Sequence, residues 1–135
     1  LDLLQAPFSI LDRRLETSGW LERLARAGAE VHVRSVFLQG LLLMAPRERP
    51  AKFGRFGGLW RAWHAWLDRE RLTPVEACLG FVLAYEDIDR VIVGVDNSAQ
   101  LNELLAAAVP RALVPPPELS TGDVELLDPS SWSRL

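Results

Sequence analysis

The sequence predicts an α/β domain built on a small parallel sheet. Three short apolar stretches, Leu1–Gln5, Glu30–Phe37 and Val91–Val93, are each followed by segments whose apolar residues recur at helical spacing. Strands that alternate with helices form βαβ units with right-handed crossovers, so the strands should run parallel. Three strands leave two unpaired edges, and something outside the three units is expected to cover them.

The first strand, Leu1–Gln5, ends before Ala6-Pro7, because proline removes a ladder donor and restrains the residue before it. Ser9–Arg14 reads as a loop, with Asp12-Arg13-Arg14 a solvated turn. Ser18–Ala27 has the pattern of an amphipathic helix: Trp20, Leu21, Leu24 and Ala27 share one face, and Gly28 is placed to stop it. In the second strand Val31, Val33 and Ser35 share one face, and His32, Arg34 and Val36 the other. Leu38–Met44 continues apolar, as a helical start or a buried loop. Pro46–Gly58 reads as an irregular, mobile surface loop; its glycines match neither dinucleotide-binding nor P-loop spacing.

Leu59–Glu70 carries Trp60, Trp63 and Leu67 on one helical stripe. Thr73-Pro74-Val75-Glu76 is a capping box with proline at the first helical position, and Val75, Leu79, Val82 and Leu83 form the buried face after it. The third strand passes through Gly94 into a helix capped by Asn97, with Gln100 at capping-box spacing. Leu101, Leu104, Leu105 and Ala108 make its apolar face. A strand ending at a helix N-terminus offers N–H groups and a positive dipole end to a phosphate, although an ordinary βα turn has the same pattern. Residues 1–109 then form the α/β body, and 110–135 an extended, proline-rich tail pinned by Trp132.

The 135 residues carry a net charge of −3 with basic residues scattered among acids, which disfavours a nucleic-acid surface. No apolar run approaches the ~20 residues of a membrane span, and no signal peptide is evident. Cys78 stands alone, which excludes a disulfide framework and fits a reducing, cytoplasmic setting. His64 has no partner at metal-ligand spacing. The chain opens on a strand without an initiating methionine, as a piece of a longer protein would.

Three motifs carry a family resemblance. Gln5-Ala6-Pro7-Phe8-Ser9-Ile10-Leu11-Asp12-Arg13-Arg14, Val33-Arg34-Ser35-Val36-Phe37-Leu38-Gln39-Gly40-Leu41-Leu42 and Ile92-Val93-Gly94-Val95-Asp96-Asn97-Ser98-Ala99-Gln100-Leu101 resemble the last three βα units of the bacterial aldo-keto reductases. Leu127-Asp128-Pro129 with Trp132 is similar to the end of those chains. The resemblance implies a partial TIM barrel, supplying strands six to eight with their helices and a C-terminal tail; a whole barrel needs ~250 residues. It also implies NADP or NAD as cofactor of the intact enzyme, and hydride transfer to a small carbonyl substrate.

By the same resemblance, Gln5 matches the residue that bonds the nicotinamide carboxamide. Arg34 stands where many members place a ring-stacking tyrosine, a role that a planar guanidinium can also fill. Ser35, Phe37 and Gln39 match the loop along the pyrophosphate. Gly94, Val95, Asp96 and Asn97 match the loop around the adenosine 2′-phosphate, and Gln100 and Glu103 match the residues at the adenine end. Asp96 departs from the basic residue usual there, and Leu104 from an asparagine, so NAD and NADP both stay open.

The family's catalytic tyrosine, lysine, aspartate and histidine come from the first half of the barrel. Here Tyr85 is the only tyrosine and Lys52 the only lysine, at a helix end and in a loop. No catalytic residue is therefore expected in this chain, and alone it should be inactive. Its partner would be the N-terminal half of the barrel or a second copy of itself. The alternative is a non-catalytic half-barrel that binds or assembles and covers its strand edges by oligomerising.

Overall fold

The computed structural model describes residues 1–135 and has three parallel strands in the order β1-β2-β3. β1 spans Leu3–Pro7, β2 Glu30–Arg34 and β3 only Arg90–Val91. The register sets Leu4 beside Val31, Ala6 beside Val33, and Val33 beside Val91. Side chains alternate across a strand, so these residues share one face. That face is the covered one: Val31 and Val33 are wholly buried, with Leu4, Ala6 and Val91 packed around them.

The opposite face is bare. Leu3 is 44% exposed and Ile92 41%, and Gln5, Arg34 and Arg90 lie open beside half-buried Glu30 and His32. A charged chain of contacts runs across it, with His32 Nε2 2.7 Å from Glu30 Oε1 and Arg90 Nε donating to the same oxygen at 3.4 Å. Consecutive parallel strands placed side by side, with both crossovers on one face, differ from a doubly wound sheet, which is covered on both.

The crossovers follow the expected order with several corrections. The strand β1 begins two residues later and includes Pro7, which tolerates an edge strand because its missing donor faces no partner. Ser9–Arg14 is ordered: the Ser9 hydroxyl accepts from the Leu11 and Asp12 amides, and Asp12 is buried, receiving both Nε and Nη2 of Arg14 at 2.8 Å. The solvated-turn expectation fails because this carboxylate is satisfied internally. A short helix, α1 (Arg14–Thr17), then precedes α2 (Trp20–Arg26). Leu21 and Leu24 of α2 face the core, but Trp20 is 52% exposed under the Arg23 guanidinium and Ala27 is exposed. Gly28 does end α2, at φ +76°.

The segment expected to be a mobile loop, Pro46–Gly58, is instead two 3₁₀ turns, Pro46–Glu48 and Ala51–Phe56, leading directly into α3 (Gly57–Glu70). Phe53 anchors it: the ring is buried and its carbonyl accepts from Trp60 Nε1 at 3.0 Å. In α3, Trp60, Trp63, Trp66 and Leu67 are all buried, and Trp63 Nε1 donates to the Leu42 carbonyl. The next helix, α4 (Pro74–Leu83), starts on the complete capping box, with Thr73 Oγ1 accepting from the Glu76 amide and Glu76 from the Thr73 amide. Leu83 is only half-buried; Val75, Leu79 and Val82 face inward as expected.

The tail is not simply extended. Past 110–116 it forms turns at Pro117–Leu119 and Pro129–Arg134 around α6 (Val124–Leu127). Leu119, Leu126 and Leu127 are buried, and the Thr121 amide donates to the Leu11 carbonyl. Trp132 is the expected pin: it donates to the Leu126 carbonyl at 2.8 Å and meets the Phe53 ring edge-on at 5.0 Å. No helix is long and apolar enough to cross a membrane.

Two measurements test this packing. A methyl group at Gly80 of α4 would lie 2.6 Å from Cδ and 3.0 Å from Cβ of Arg111, whose amide is held by the Gly80 carbonyl at 2.9 Å. Gly80→Ala is expected to destabilise the protein by about 1–3 kcal/mol through overpacking, read as a lower midpoint in urea. His64 is kept neutral mainly by burial and secondarily by Arg49, which hold its pKa below the ordinary 6.5. The unfolded chain therefore takes up the proton that the native state refuses, and stability should decline as pH falls below 6.5. Urea midpoints at pH 7.5 and 5.5 should show that decline, and His64→Gln should flatten it.

Candidate functional site

Ligands in open parallel sheets bind outside the carboxyl ends of the strands, and this chain has a cleft there. The cleft, about 800 Å3, lies between the segment after β2, the start of α4, and the turn from β3 into α5 (Ser98–Ala107). A volume of that size is in the range of small-molecule sites.

The wall from β2 is built from strained backbone. The strand stops at Arg34, three residues before its expected end, because Ser35 turns to φ +60°. Leu38 and Gln39 follow at +50° and +55°, and Gly40 at +81°. Left-handed non-glycine residues cost of order 1–3 kcal/mol each and persist only where packing over-determines them. Here Leu38, Leu41 and Leu42 are buried, and the Leu42 carbonyl is held by Trp63. The effect is to turn Ser35, Phe37 and Gln39 toward the cleft while the leucines between and after them anchor the core.

The opposite wall is the turn that leads into α5. β3 is shorter than expected, since only Arg90 and Val91 pair. Asp89 steadies it by accepting from the Val31 amide at 2.7 Å. Asn97 caps α5, its side chain accepting from the Gln100 amide at 2.9 Å. The Gln100 carboxamide does not close the box on Asn97 but accepts from the Asp96 amide at 2.8 Å. The apolar face also differs: Leu104 and Ala107 turn inward, whereas Leu101, Leu105 and Ala108 are exposed, having no neighbouring element to pack against.

Of the eleven residues singled out in the sequence, eight line the cleft: Arg34, Ser35, Phe37, Gln39, Gly94, Asp96, Gln100 and Glu103. Gln5 lies in the middle of β1 on the bare face, Val95 is 42% exposed beside the turn, and Asn97 acts as the cap; none of these three is in the lining. Sequence reasoning missed Thr73, Pro74 and Val75, which close the cleft from the N-terminus of α4. Their capping signal was plain, but only the tertiary structure brings it beside residues some forty positions earlier.

Three charged side chains line the cleft, Arg34 from β2 and Asp96 and Glu103 from the α5 side, and none forms an ion pair. Arg34 Nη1 reaches only the Ser35 hydroxyl, at 3.4 Å. The lining also presents Phe37, Ile92 and Leu104 as apolar surface. It holds no lysine, histidine, tyrosine or cysteine. Its titratable side chains besides Arg34 are the carboxylates of Asp96 and Glu103.

The only tyrosine and lysine lie elsewhere. Tyr85 donates to Glu16 at 2.9 Å, and burial, with Glu16 adding, pushes its pKa up to about 12. Lys52 donates to the Trp132 carbonyl at 3.0 Å. The thiol of Cys78 is wholly buried, which raises its pKa. Neither a protein-family model nor a curated protein matches the sequence.

Removing the cap should loosen the α5 wall. Asn97→Ala is expected to cost about 1 kcal/mol, and amide exchange should speed up at the start of α5 while remaining slow in α4.

Proposed function

We propose that this chain is the C-terminal portion of an NAD(P)H-dependent carbonyl reductase of the aldo-keto reductase type, contributing the last three βα units of its barrel. The carrying observation is the cleft at the strand ends, in which eight residues from two separated motifs meet. The bare sheet face supports the same reading. In a closed barrel that face points inward, and its alternating Glu30, His32 and Arg34 would then line the interior.

The bound nicotinamide cofactor supplies the hydride for carbonyl reduction. The role of this chain is to hold and orient it: Arg34 as a planar group against the nicotinamide ring, and Ser35, Phe37 and Gln39 along the pyrophosphate. On this reading the proton comes from groups outside the chain, since Tyr85 is half-buried and donates to Glu16, and its raised pKa is opposite to what a general acid near neutrality requires.

Residues 1–135 alone are therefore expected to show no NAD(P)H oxidation with small aldehydes or ketones, whereas the complete gene product should. Tyr85→Phe and Lys52→Ala should leave its kcat within about twofold. Mass spectrometry of the native protein supplies the decisive check: a product that starts within a few residues of Leu1 overturns the reading. The bare face and two unpaired edges favour a second reading, a half-barrel that pairs with another copy and performs no chemistry. Light scattering on the purified chain separates the two, since a stable monomer argues against self-assembly.

A further inference from the structure

We propose that Arg49 and His64 form a latch, opened by proton uptake at His64, that fastens residues 44–50 onto α3. These residues link the β2 side of the cleft, which ends at Leu43, to the helix that carries the tryptophans. Their fastening does not depend on what the cleft binds.

The linking residues close first on themselves and then on α3. The Ala45 amide donates to Glu48 Oε2 at 3.0 Å, and the Glu48 amide to the Ala45 carbonyl at 3.0 Å. Arg49 supplies the fastening to the helix. Its Nη2 lies 3.1 Å from the Met44 carbonyl and 3.3 Å from His64 Nε2, with one N–H for each. The guanidinium carbon stands 4.2 Å from the centre of the Trp60 ring. Trp60 and His64 are four residues apart on α3 and so share a face. No carboxylate pairs with Arg49, and its Nε is buried without a partner. A half-buried cation is thus held by a carbonyl, an indole face and one imidazole lone pair.

Arginine keeps its proton in proteins, so Nη2 can only donate and His64 Nε2 must accept. That requires the neutral imidazole with its proton on Nδ1. Proton uptake turns Nε2 into a donor as well, and two cationic donors then face each other across 3.3 Å. The charged groups that bear on the imidazole are Arg49, from the linking residues, and Asp68, one turn further along α3; Asp68 forms no ion pair with it. Burial first, and Arg49 second, hold the His64 pKa below 6.5, so the latch is closed at neutral pH and opens in mild acid. An open form with the ordinary 6.5 takes up the proton that the closed form refuses. Opening is therefore favoured by up to about tenfold more at pH 5.5 than at pH 7.5.

The test uses the protein expressed from its complete gene and follows hydrogen exchange at pH 7.5 and 5.5, corrected for the intrinsic pH dependence of exchange. Protection of the Ala45 and Glu48 amides should fall by up to about tenfold at the lower pH, while α4 stays protected. Nitrogen NMR of the imidazole, with His64→Gln identifying its signal, should find Nε2 unprotonated at pH 7.5. In His64→Gln the carboxamide oxygen accepts at either pH, and the two amides should stay protected at both. Arg49→Met removes the fastening: the amides should exchange fast at both pH values, and His64 should titrate at a higher pH than in the unaltered protein. Circular dichroism identifies a variant that fails to fold, and the unaltered protein then decides by itself. Protection at Ala45 and Glu48 that is the same at both pH values, or that is lost in step with α4, overturns the latch. A proton on His64 Nε2 at pH 7.5 overturns it too, as does a pH response that survives in His64→Gln.

Discussion

A parallel sheet covered on one face only is the constraint on which the rest of this structure depends. Each strand must be followed by a crossover, and both crossovers here return over the Val31 and Val33 side. The buried apolar side chains of α2, α3 and α4 therefore converge on a single layer, and no helix covers the second face. The consequences run in both directions. The covered side holds an aromatic-rich core that includes three tryptophans of α3, two of whose indole nitrogens are satisfied by backbone carbonyls. The other side exposes Leu3 and Ile92 beside a line of charges, an arrangement that isolated parallel sheets avoid.

The same constraint produces the cleft. Strand ends that all point one way place the following loops side by side, so the turn after β2 and the turn after β3 become two walls of one groove. The β2 wall departs furthest from ordinary backbone, with Ser35, Leu38 and Gln39 all left-handed within five residues. Buried leucines hold it there. The α5 wall is softer, a two-residue strand followed by a helix that packs through Leu104 and Ala107 alone.

The tail has more structural weight than a strap. Leu119, Leu126 and Leu127 enter the core, and Trp132 meets Phe53 in the segment between β2 and α3. Gly80 has to be bare for the chain to cross α4 at Arg111. The loop expected to be mobile and the tail expected to be extended order one another: Lys52 and Arg55 reach the tail at Trp132 and at Asp123 and Glu125.

Periodicity and capping chemistry by themselves determined the order of the strands and of the main helices between them, the parallel sheet, the Thr73 box and the end of α2 at Gly28. These are local properties, decided by which side chains recur and which backbone donors a neighbour can satisfy. The tertiary structure alone decided the rest. It buried Asp12 by supplying internal partners, ended β2 at Ser35, ordered Pro46–Gly58 around Phe53, and left Trp20, Leu101 and Leu105 in solvent where no element faces them. It also gathered Arg34, Gln39, Asp96 and Glu103 around one cleft with the start of α4. Which apolar stripe is buried, and which charges stand together, depends on neighbours distant in the chain, and no local pattern carries that information.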